Sequence, residues 1–384
     1  MSRIFFDNAA TSWPKPEAVY RAVDDYQRRL GTPAGRGSYA DAAQPERIVA
    51  SCRKKIALAI HAAETNRIVF THNGTDSLNL ALHGSLRQGD HVVTTVCEHN
   101  SVLRPLRFLA EHRGVTATYV PCDAAGWVSP DDVRQAITPQ TRLIAVVHAS
   151  NVTGAVQPVE AIGRLAAEHG IRYLVDAAQS LGYMPVDVER IGCQLLAAPG
   201  HKGLLGPLGT GVLYIAPGLE NDLLPLRQGG TGTRSDEDVQ PASLPDRYES
   251  GNLNVPGLVG LEAGVSHLLE QGIAQVQSQL QTLADQLLTG IAEIGGITLF
   301  GPQTSDRRVG VVSLNVAGYD PQELAALLDS NWSIQTRAGL HCAPRMHAAL
   351  GTAPQGTLRI SLGHFTTREE VAALLAALAE IAAV

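Results

Sequence analysis

The sequence predicts an α/β protein, with a mainly parallel sheet in a large domain and a smaller α+β domain beside it. Three observations predict this. From about residue 50 to 215, short β-branched runs alternate with helical patterns, the order that builds parallel strands covered by helices on both faces. Small or polar residues follow each apolar run. Beyond residue 256 the alternation gives way to a long helical stretch, two strand-like runs and a final helix.

In chain order, residues 67–71 (RIVFT) read as a strand and 77–86 as a helix. Residues 91–96, 116–120, 143–148, 173–175 and 194–197 read as further strands, and 159–169 as a helix between two of them. Residues 221–256, rich in Gly, Pro, Asp and Ser, read as irregular. A helical stretch follows at 257–294, then strands at 309–316 and 357–362. Residues 371–384 carry Glu380 and read as a buried or half-buried closing helix. Neither a repeat nor a low-complexity tract interrupts this order.

Composition narrows the function. With 45% hydrophobic and 17% charged residues, the chain is of globular type. A net charge of −7 without any Lys/Arg run argues against nucleic-acid binding. The start is only briefly apolar before Asp7 and Asn8 interrupt it, unlike a secretory signal. No uncharged stretch reaches the roughly twenty residues that a membrane span needs. A soluble, cytoplasmic protein is expected. The five cysteines, at 52, 97, 122, 193 and 342, include no C-x-x-C pair and are odd in number. A disulfide framework and a zinc finger are both poor readings.

Ligands of open parallel sheets bind beyond the carboxyl ends of the strands. Those positions here are residues 72–76, 98–100, 149–151, 176–179 and 200–202. In FTHNGTDSLNLAL, residues 73–75 fall at a helix start, where free N–H groups and the helix dipole favour a phosphate. The segment also reads as a simple helix cap, in which Thr75 or Asp76 satisfies free N–H groups. In LVDAAQS, Asp176 ends an apolar strand. It could pair with a protonated ring nitrogen, or again only cap a helix. In AAPGHKGLLGPLGTG, Lys202 ends a strand ahead of a glycine-dense turn. Desolvation at such a place lowers an amine pKa and suits a Schiff-base lysine. The glycine spacing is wrong for a dinucleotide fingerprint, and no helix follows.

With these residues in hand, the chain resembles the class V aminotransferase family, and within it the SUF-type cysteine desulfurases. The motifs NGTDSLN, EHNS, SNVTG, DAAQ, GHKGLLGPLGTG, YESGNLN and RAGLHCAP carry the resemblance, which runs from FFDNAATSWPKP to LRISLGHFTTREEV. It implies fold type I of the pyridoxal 5'-phosphate (PLP) transferases, with a large domain at 16–256 and a small domain from 1–15 plus 257–384. It implies that Lys202 condenses with the PLP aldehyde. His99 would stack on the ring and assist proton transfer, Asp176 bind the pyridine nitrogen and Gln179 the ring hydroxyl. Gly74, Thr75 and His201 would hold the phosphate, and Asn151 would lie beside cofactor and substrate. Arg359, with Arg337, would bind the substrate carboxylate. Cys342 would be the persulfide-forming nucleophile. Its neighbours Arg337, His341 and Arg345 would favour thiolate. The other four cysteines are assigned to structure.

Three positions depart from the family pattern. Pro199 stands where a phosphate-binding Ser or Thr is common and cannot donate a hydrogen bond. Asn252 stands where a threonine usually reaches the partner subunit's phosphate. GRGSYADA lacks a histidine. The resemblance further implies L-cysteine as substrate, a homodimer whose contact lies at 227–254, and a sulfur-acceptor protein as partner. Selenocysteine lyase, racemase and aminotransferase are the alternatives, with Cys342 an acid or gate in the first and incidental in the others. A metal centre from Cys97, His99 and His148 lacks recognisable ligand spacing, so no metal is expected.

Overall fold

A computed structural model describes residues 3–34, 39–233 and 236–383; part of GRGSYADA, residues 35–38, therefore lies outside the described residues. The chain opens with β1 (Ile4–Phe5), α1 (Glu17–Asp25) and α2 (Ala43–Ala59). It continues as β2 (Ile68–Thr71), α3 (Gly74–Ser85), β3 (His91–Thr95), α4 (Asn100–Arg113), β4 (Thr116–Val120), α5 (Pro130–Gln135) and β5 (Thr141–Val147). Next come α6 (Val159–Glu168), β6 (Arg172–Asp176), α7 (Val188–Ile191), β7 (Leu195–Pro199) and β8 (Gly211–Ile215). After an irregular segment follow α8 (Val255–Gln271), α9 (Ile273–Ala292), β9 (Ile297–Phe300), β10 (Val311–Val316) and α10 (Pro321–Trp332). The chain closes with β11 (Ile334–Gln335), β12 (Arg337–Gly339), α11 (Pro344–Ala349), β13 (Thr357–Ser361) and α12 (Arg368–Ala382).

The α/β expectation holds. A seven-stranded sheet has the order β2-β8-β7-β6-β5-β3-β4 and is parallel except for β8. Side-chain alternation puts Ile144, Val146, Tyr173 and Val175 into the core on one face, and Leu143, Ala145 and Leu174 into the core on the other. From β3 the chain steps outward to β4, then returns to lay β5 on the far side of β3. That reversal opens a crevice at the carboxyl ends of β3 and β5.

Strand β8 was not expected: the sequence reads as a glycine-dense turn up to Gly211 and assigns no strand to the residues after it. The turn is short enough to fold β8 straight back against β7. Gly200 N donates to Thr210 O at 2.9 Å, and a Cβ at Gly200 would lie 2.2 Å from Thr210 Oγ1. The expected helix at 257–294 is two helices, broken at Gly272 (φ 85°). Helix α8 packs on α1 and α2.

A four-stranded antiparallel sheet, β12-β13-β10-β9, forms beyond the large sheet. Its β9 and β12 were too short and mixed in character to read from pattern. The N-terminus joins it: β1 pairs with β11, and Ser361 N donates to Phe6 O at 2.7 Å. The described residues between α8 and the preceding turn, 222–233 and 236–254, are irregular as expected. Glu249 anchors them, taking Arg53 Nη1 and Nη2 at 2.8 and 2.9 Å and Phe70 N at 2.6 Å. Among the described residues, no helix is long and apolar enough to cross a membrane.

Helix α6 offers a test of this packing. Gly→Ala inside a helix usually stabilises by about 1 kcal/mol. At Gly163, however, a Cβ would sit 1.8 Å from Ile191 O. Gly163→Ala should therefore lower the denaturant midpoint, by about 1–3 kcal/mol of overpacking strain. An unchanged or raised midpoint would contradict the close approach of α6 and α7.

Candidate active site

The crevice deepens into a cavity of about 220 Å³. Each wall comes from a strand end or the loop after it. Strand β2 leads to Gly74 and Thr75 at the start of α3, and β3 to His99. Strand β5 leads to Asn151, β6 ends in Asp176 and leads to Gln179, and β7 leads to His201 and Lys202. The small sheet adds Arg337 and Arg359. All ten residues line the cavity.

At one end, α3 begins. Asn73 Oδ1 caps it by accepting from Asp76 N at 2.9 Å. The cap is thus Asn73, rather than the Thr75 or Asp76 hydroxyl or carboxylate that the cap reading considered. The Thr75 hydroxyl instead meets Ser101 Oγ at 2.7 Å. His201 stands nearby on the cavity wall, its buried Nδ1 without a partner and its pKa held down near 4, by burial first and then by Lys202 and Lys15. Pro199 packs against Gly74, where a Cβ would lie 3.1 Å from Pro199 Cδ.

In the middle, Lys202 is half-buried, its open part facing the cavity. Burial brings its pKa down to about 8; Arg359 and Arg337 push the same way, while Asp176 and Asp7 oppose them. Burial pushes the Asp176 carboxyl above the usual carboxylate range, partly offset by a hydrogen bond from Ala178 N (2.9 Å) and by Lys202. Gln179 Nε2 donates to Ala9 O at 2.9 Å. His99 Nδ1 accepts from Ser101 N at 3.0 Å, so its neutral ring carries the proton on Nε2. Burial, then Lys202 and the arginines, hold its pKa near 4.

At the far end, β12 and β13 pair so that Arg337 lies directly opposite Arg359. Like charges opposite one another repel. Arg359, 1% exposed, is balanced by Asp7 at 2.6 Å and donates to Asn151 O at 3.2 Å, leaving Nε unpartnered. The pair makes this end of the cavity positive, with one carboxylate, that of Asp7, in contact with Arg359.

Cys342 does not line this cavity. It borders an adjoining hollow that shares Thr75, His99 and Ser101 with it. Arg337 links the two, lining the cavity while its Nη2 lies 3.8 Å from Cys342 Sγ. Of the three neighbours expected to act on the thiol, only Arg337 reaches it. Arg345 stacks on Tyr119 at 3.7 Å, a favourable cation–π contact elsewhere. His341 is kept neutral by burial and by Arg359, His347 and Arg337, its pKa held near 2. Both His341 (φ 47°) and Cys342 (φ 60°) are left-handed, a conformation that costs non-glycine residues free energy. Asn151 Nδ2 donates to His341 O at 2.6 Å and Asn100 N to Cys342 O at 2.7 Å. These bonds hold the turn.

Asn252 is exposed and does not line the cavity. Sequence reasoning missed Ser101 and His341 as cavity groups, and Asp7 as the counter-charge of Arg359. Each sits inside a quoted motif, FFDNAAT, EHNS or RAGLHCAP, but its role depends on contacts across the fold. Cys52, Cys97 and Cys193 are buried and Cys122 half-buried; all are free thiols.

The chain matches the class-V aminotransferase family over residues 4–374 and belongs to it; this is a family of PLP-dependent enzymes. A probable cysteine desulfurase of Methanothermobacter thermautotrophicus is 39% identical over 386 residues, covering 99% of this chain and 94% of the relative. A cysteine desulfurase of Yersinia pseudotuberculosis is 32% identical over 385 residues, covering 98% and 93%. Among solved structures, the apo cysteine desulfurase of Thermococcus onnurineus has a TM-score of 0.92 at 35% identity, covering 99% of this chain and 95% of that one. The Escherichia coli cysteine desulfurase CsdA, in its S-sulfonic acid form, has a TM-score of 0.88 at 30% identity, covering 98% and 94%. The expected fold, a mainly parallel α/β type I PLP transferase, is the one found.

The lowered pKa of Lys202 is testable without any catalysis. In cofactor-free protein, Lys202 should form a borohydride-trappable adduct with a small aldehyde at a rate that rises with pH through about 8. Solvent-exposed lysines rise towards about 10.4. Peptide mass spectrometry reads the sites separately. A Lys202 midpoint near that of the exposed lysines would contradict a desolvated amine.

Proposed function

We propose that the chain is a PLP-dependent cysteine desulfurase, converting L-cysteine to L-alanine and carrying the released sulfur as a persulfide on Cys342. The observation that carries this reading is the cavity that gathers a desolvated lysine, a buried aspartate and an arginine pair, with a cysteine thiol against the outermost arginine.

The residues fit PLP. Lys202 would hold its aldehyde carbon, Asp176 its ring nitrogen and Gln179 its hydroxyl. Gly74, Thr75 and His201 would hold its phosphate, with His99 against the ring and Asn151 beside it. The unpartnered His201 Nδ1 and Asn151 Oδ1 are buried polar atoms that a ligand would satisfy. A protonated ring nitrogen would also restore charge to Asp176. When bound, PLP supplies an electron sink for the negative charge left on the substrate carbon skeleton.

The chain's own residues do the rest. Arg359 and Arg337 fix the substrate carboxylate, the bidentate geometry that guanidinium suits. Lys202, neutral in part near pH 8, takes the α-proton. His99 keeps water from that face and carries a proton on Nε2. The Cys342 thiolate attacks the substrate sulfur. The S–S bond forms as the C–S bond breaks, and that bond pair goes to the β-carbon, which on protonation becomes the methyl group of alanine. The sulfur remains on Cys342 for an acceptor thiol.

The reading extends to a homodimer whose contact includes the segment 227–254, with Asn252 facing the neighbour, and to delivery of sulfur to an acceptor protein, as in iron–sulfur cluster assembly. The exposure of Asn252 supports the first of these. A cytoplasmic setting agrees with five free thiols.

Cys342→Ala tests the reading. It should keep the visible PLP absorbance yet lose the Cys342 persulfide and at least about a hundredfold of alanine formation, the scale of a nucleophile's contribution. Mass spectrometry and alanine assay measure the two. Undiminished alanine and sulfide release would remove Cys342 from the chemistry; faster turnover of selenocysteine by the same variant would point to a lyase for that substrate.

A further inference from the structure

His341 immediately precedes Cys342, and the desulfurase scheme gives it no task. It is nonetheless built with care. The ring is 3% exposed and forms part of the cavity wall with Asn151, Arg337 and Arg359. Its Nε2 lies 3.1 Å from Thr357 O and 3.1 Å from Thr357 Oγ1. A carbonyl oxygen only accepts, so Nε2 carries the hydrogen. Nδ1 is then a bare lone pair. It is buried and has no hydrogen-bond partner. The neighbouring ring, His347, does not satisfy it: the ring centroids are 5.4 Å apart, His347 Nδ1 meets Thr352 Oγ1 at 2.8 Å, and His347 Nε2 is itself buried without a hydrogen-bond partner. Nor does the ring gain a proton, since Arg359 and Arg337 lie close enough to oppose one.

A buried acceptor on a cavity wall waits for a donor. Resting on the desulfurase reading, the donors of L-cysteine can be counted. Its carboxylate has no hydrogen and belongs to the arginine pair. Its amine belongs at the Lys202 end. The remaining donor is the thiol. We propose that His341 Nδ1 accepts a hydrogen bond from the substrate thiol, making His341 a catalytic residue that orients the substrate sulfur towards the Cys342 thiolate one residue along. The left-handed turn serves this arrangement. Asn151 Nδ2 holds the His341 carbonyl and Asn100 N holds the Cys342 carbonyl, so ring and thiol keep a fixed relation. Thr357 pins the ring from β13, the strand that also carries Arg359.

Two substrate analogues separate this role from a structural one. L-Serine offers an O–H donor where L-cysteine has S–H, and L-alanine offers none. Titration of the holoenzyme's visible band with each gives two dissociation constants. Wild type should bind L-serine about three- to tenfold more tightly than L-alanine, the scale of one hydrogen bond. His341→Phe keeps a planar ring of similar size and removes both ring nitrogens, the Nδ1 acceptor among them. It should erase the serine–alanine difference, leave the L-alanine constant unchanged, and slow Cys342 persulfide formation from L-cysteine. A ratio that survives in His341→Phe overturns the assignment and hands the donor to Asn151 Oδ1. Should that variant fail to fold, wild type alone decides, because equal binding of serine and alanine also overturns it. A wild-type enzyme that forms neither alanine nor persulfide from L-cysteine sinks the desulfurase reading itself; an active enzyme with an unmoved ratio sinks only His341.

Discussion

A guanidinium buried where two sheets meet cannot stand without a counter-charge. Arg359 is 1% exposed, opposite a second arginine and near a lysine. Leaving such a charge unpaired costs about 3–5 kcal/mol. Asp7, at 2.6 Å, removes that cost. The same contact fixes the architecture. Asp7 lies just beyond β1, Arg359 is in β13, and Arg359 Nη1 reaches Asn151 O beyond β5. One ion pair thus ties the N-terminal segment, the small sheet and the crevice of the large sheet around a shared cavity. That segment also reaches Lys202: Ser12 Oγ donates to Lys202 O at 2.9 Å, and Lys15 Nζ to His201 O at 2.8 Å.

Charge balance in the cavity follows from this arrangement. Asp7 is largely committed to Arg359, which leaves Arg337 facing the cavity with no carboxylate in contact among the described residues. Asp176 serves Lys202 in the middle of the cavity. The protein therefore presents an unbalanced positive end next to a balanced middle. On the proposed function, an amino-acid substrate, anionic at its carboxylate, would be oriented by that asymmetry before any chemistry begins. The neutral histidines keep the asymmetry intact. Had His99, His201 or His341 been charged, the positive potential would have spread along the whole cavity.

Much of this was legible in the residues. Lys202, Asp176, His99 and the α3 start follow apolar runs, and the rule that ligands sit beyond strand ends places them together. Arg359 and Arg337 are different. They come from strands of a second sheet, and only the pairing register shows them opposite one another. Cys342 was legible through its motif, but its electrostatic surroundings were not. Arg345 is three residues away in sequence and turns to Tyr119 instead. The missed strand β8 has the same origin: a turn rich in glycine hides the point where close backbone approach makes the chain reverse. Sequence proximity gives the candidate groups, and long-range packing decides which of them touch.

The departure at Pro199 shows how such packing compensates. A hydroxyl at this position could have donated to an anion at the start of α3; proline cannot. Its ring instead packs against Gly74, 3.1 Å from where a Cβ would stand, so the absence of a side chain at 74 keeps the helix start close to β7. A hydroxyl is present from another direction. Ser101, the second residue of α4, lies 2.7 Å from Thr75 Oγ1 and 2.8 Å from His99 Nδ1. Its single proton satisfies one partner at a time. An anion at the helix start would draw the Thr75 and Ser101 protons towards itself, leaving His99 Nδ1 held by Ser101 N alone. The proposed phosphate end and the ring-stacking histidine are in this way coupled through one serine, a link that a hydroxyl at position 199 would not make.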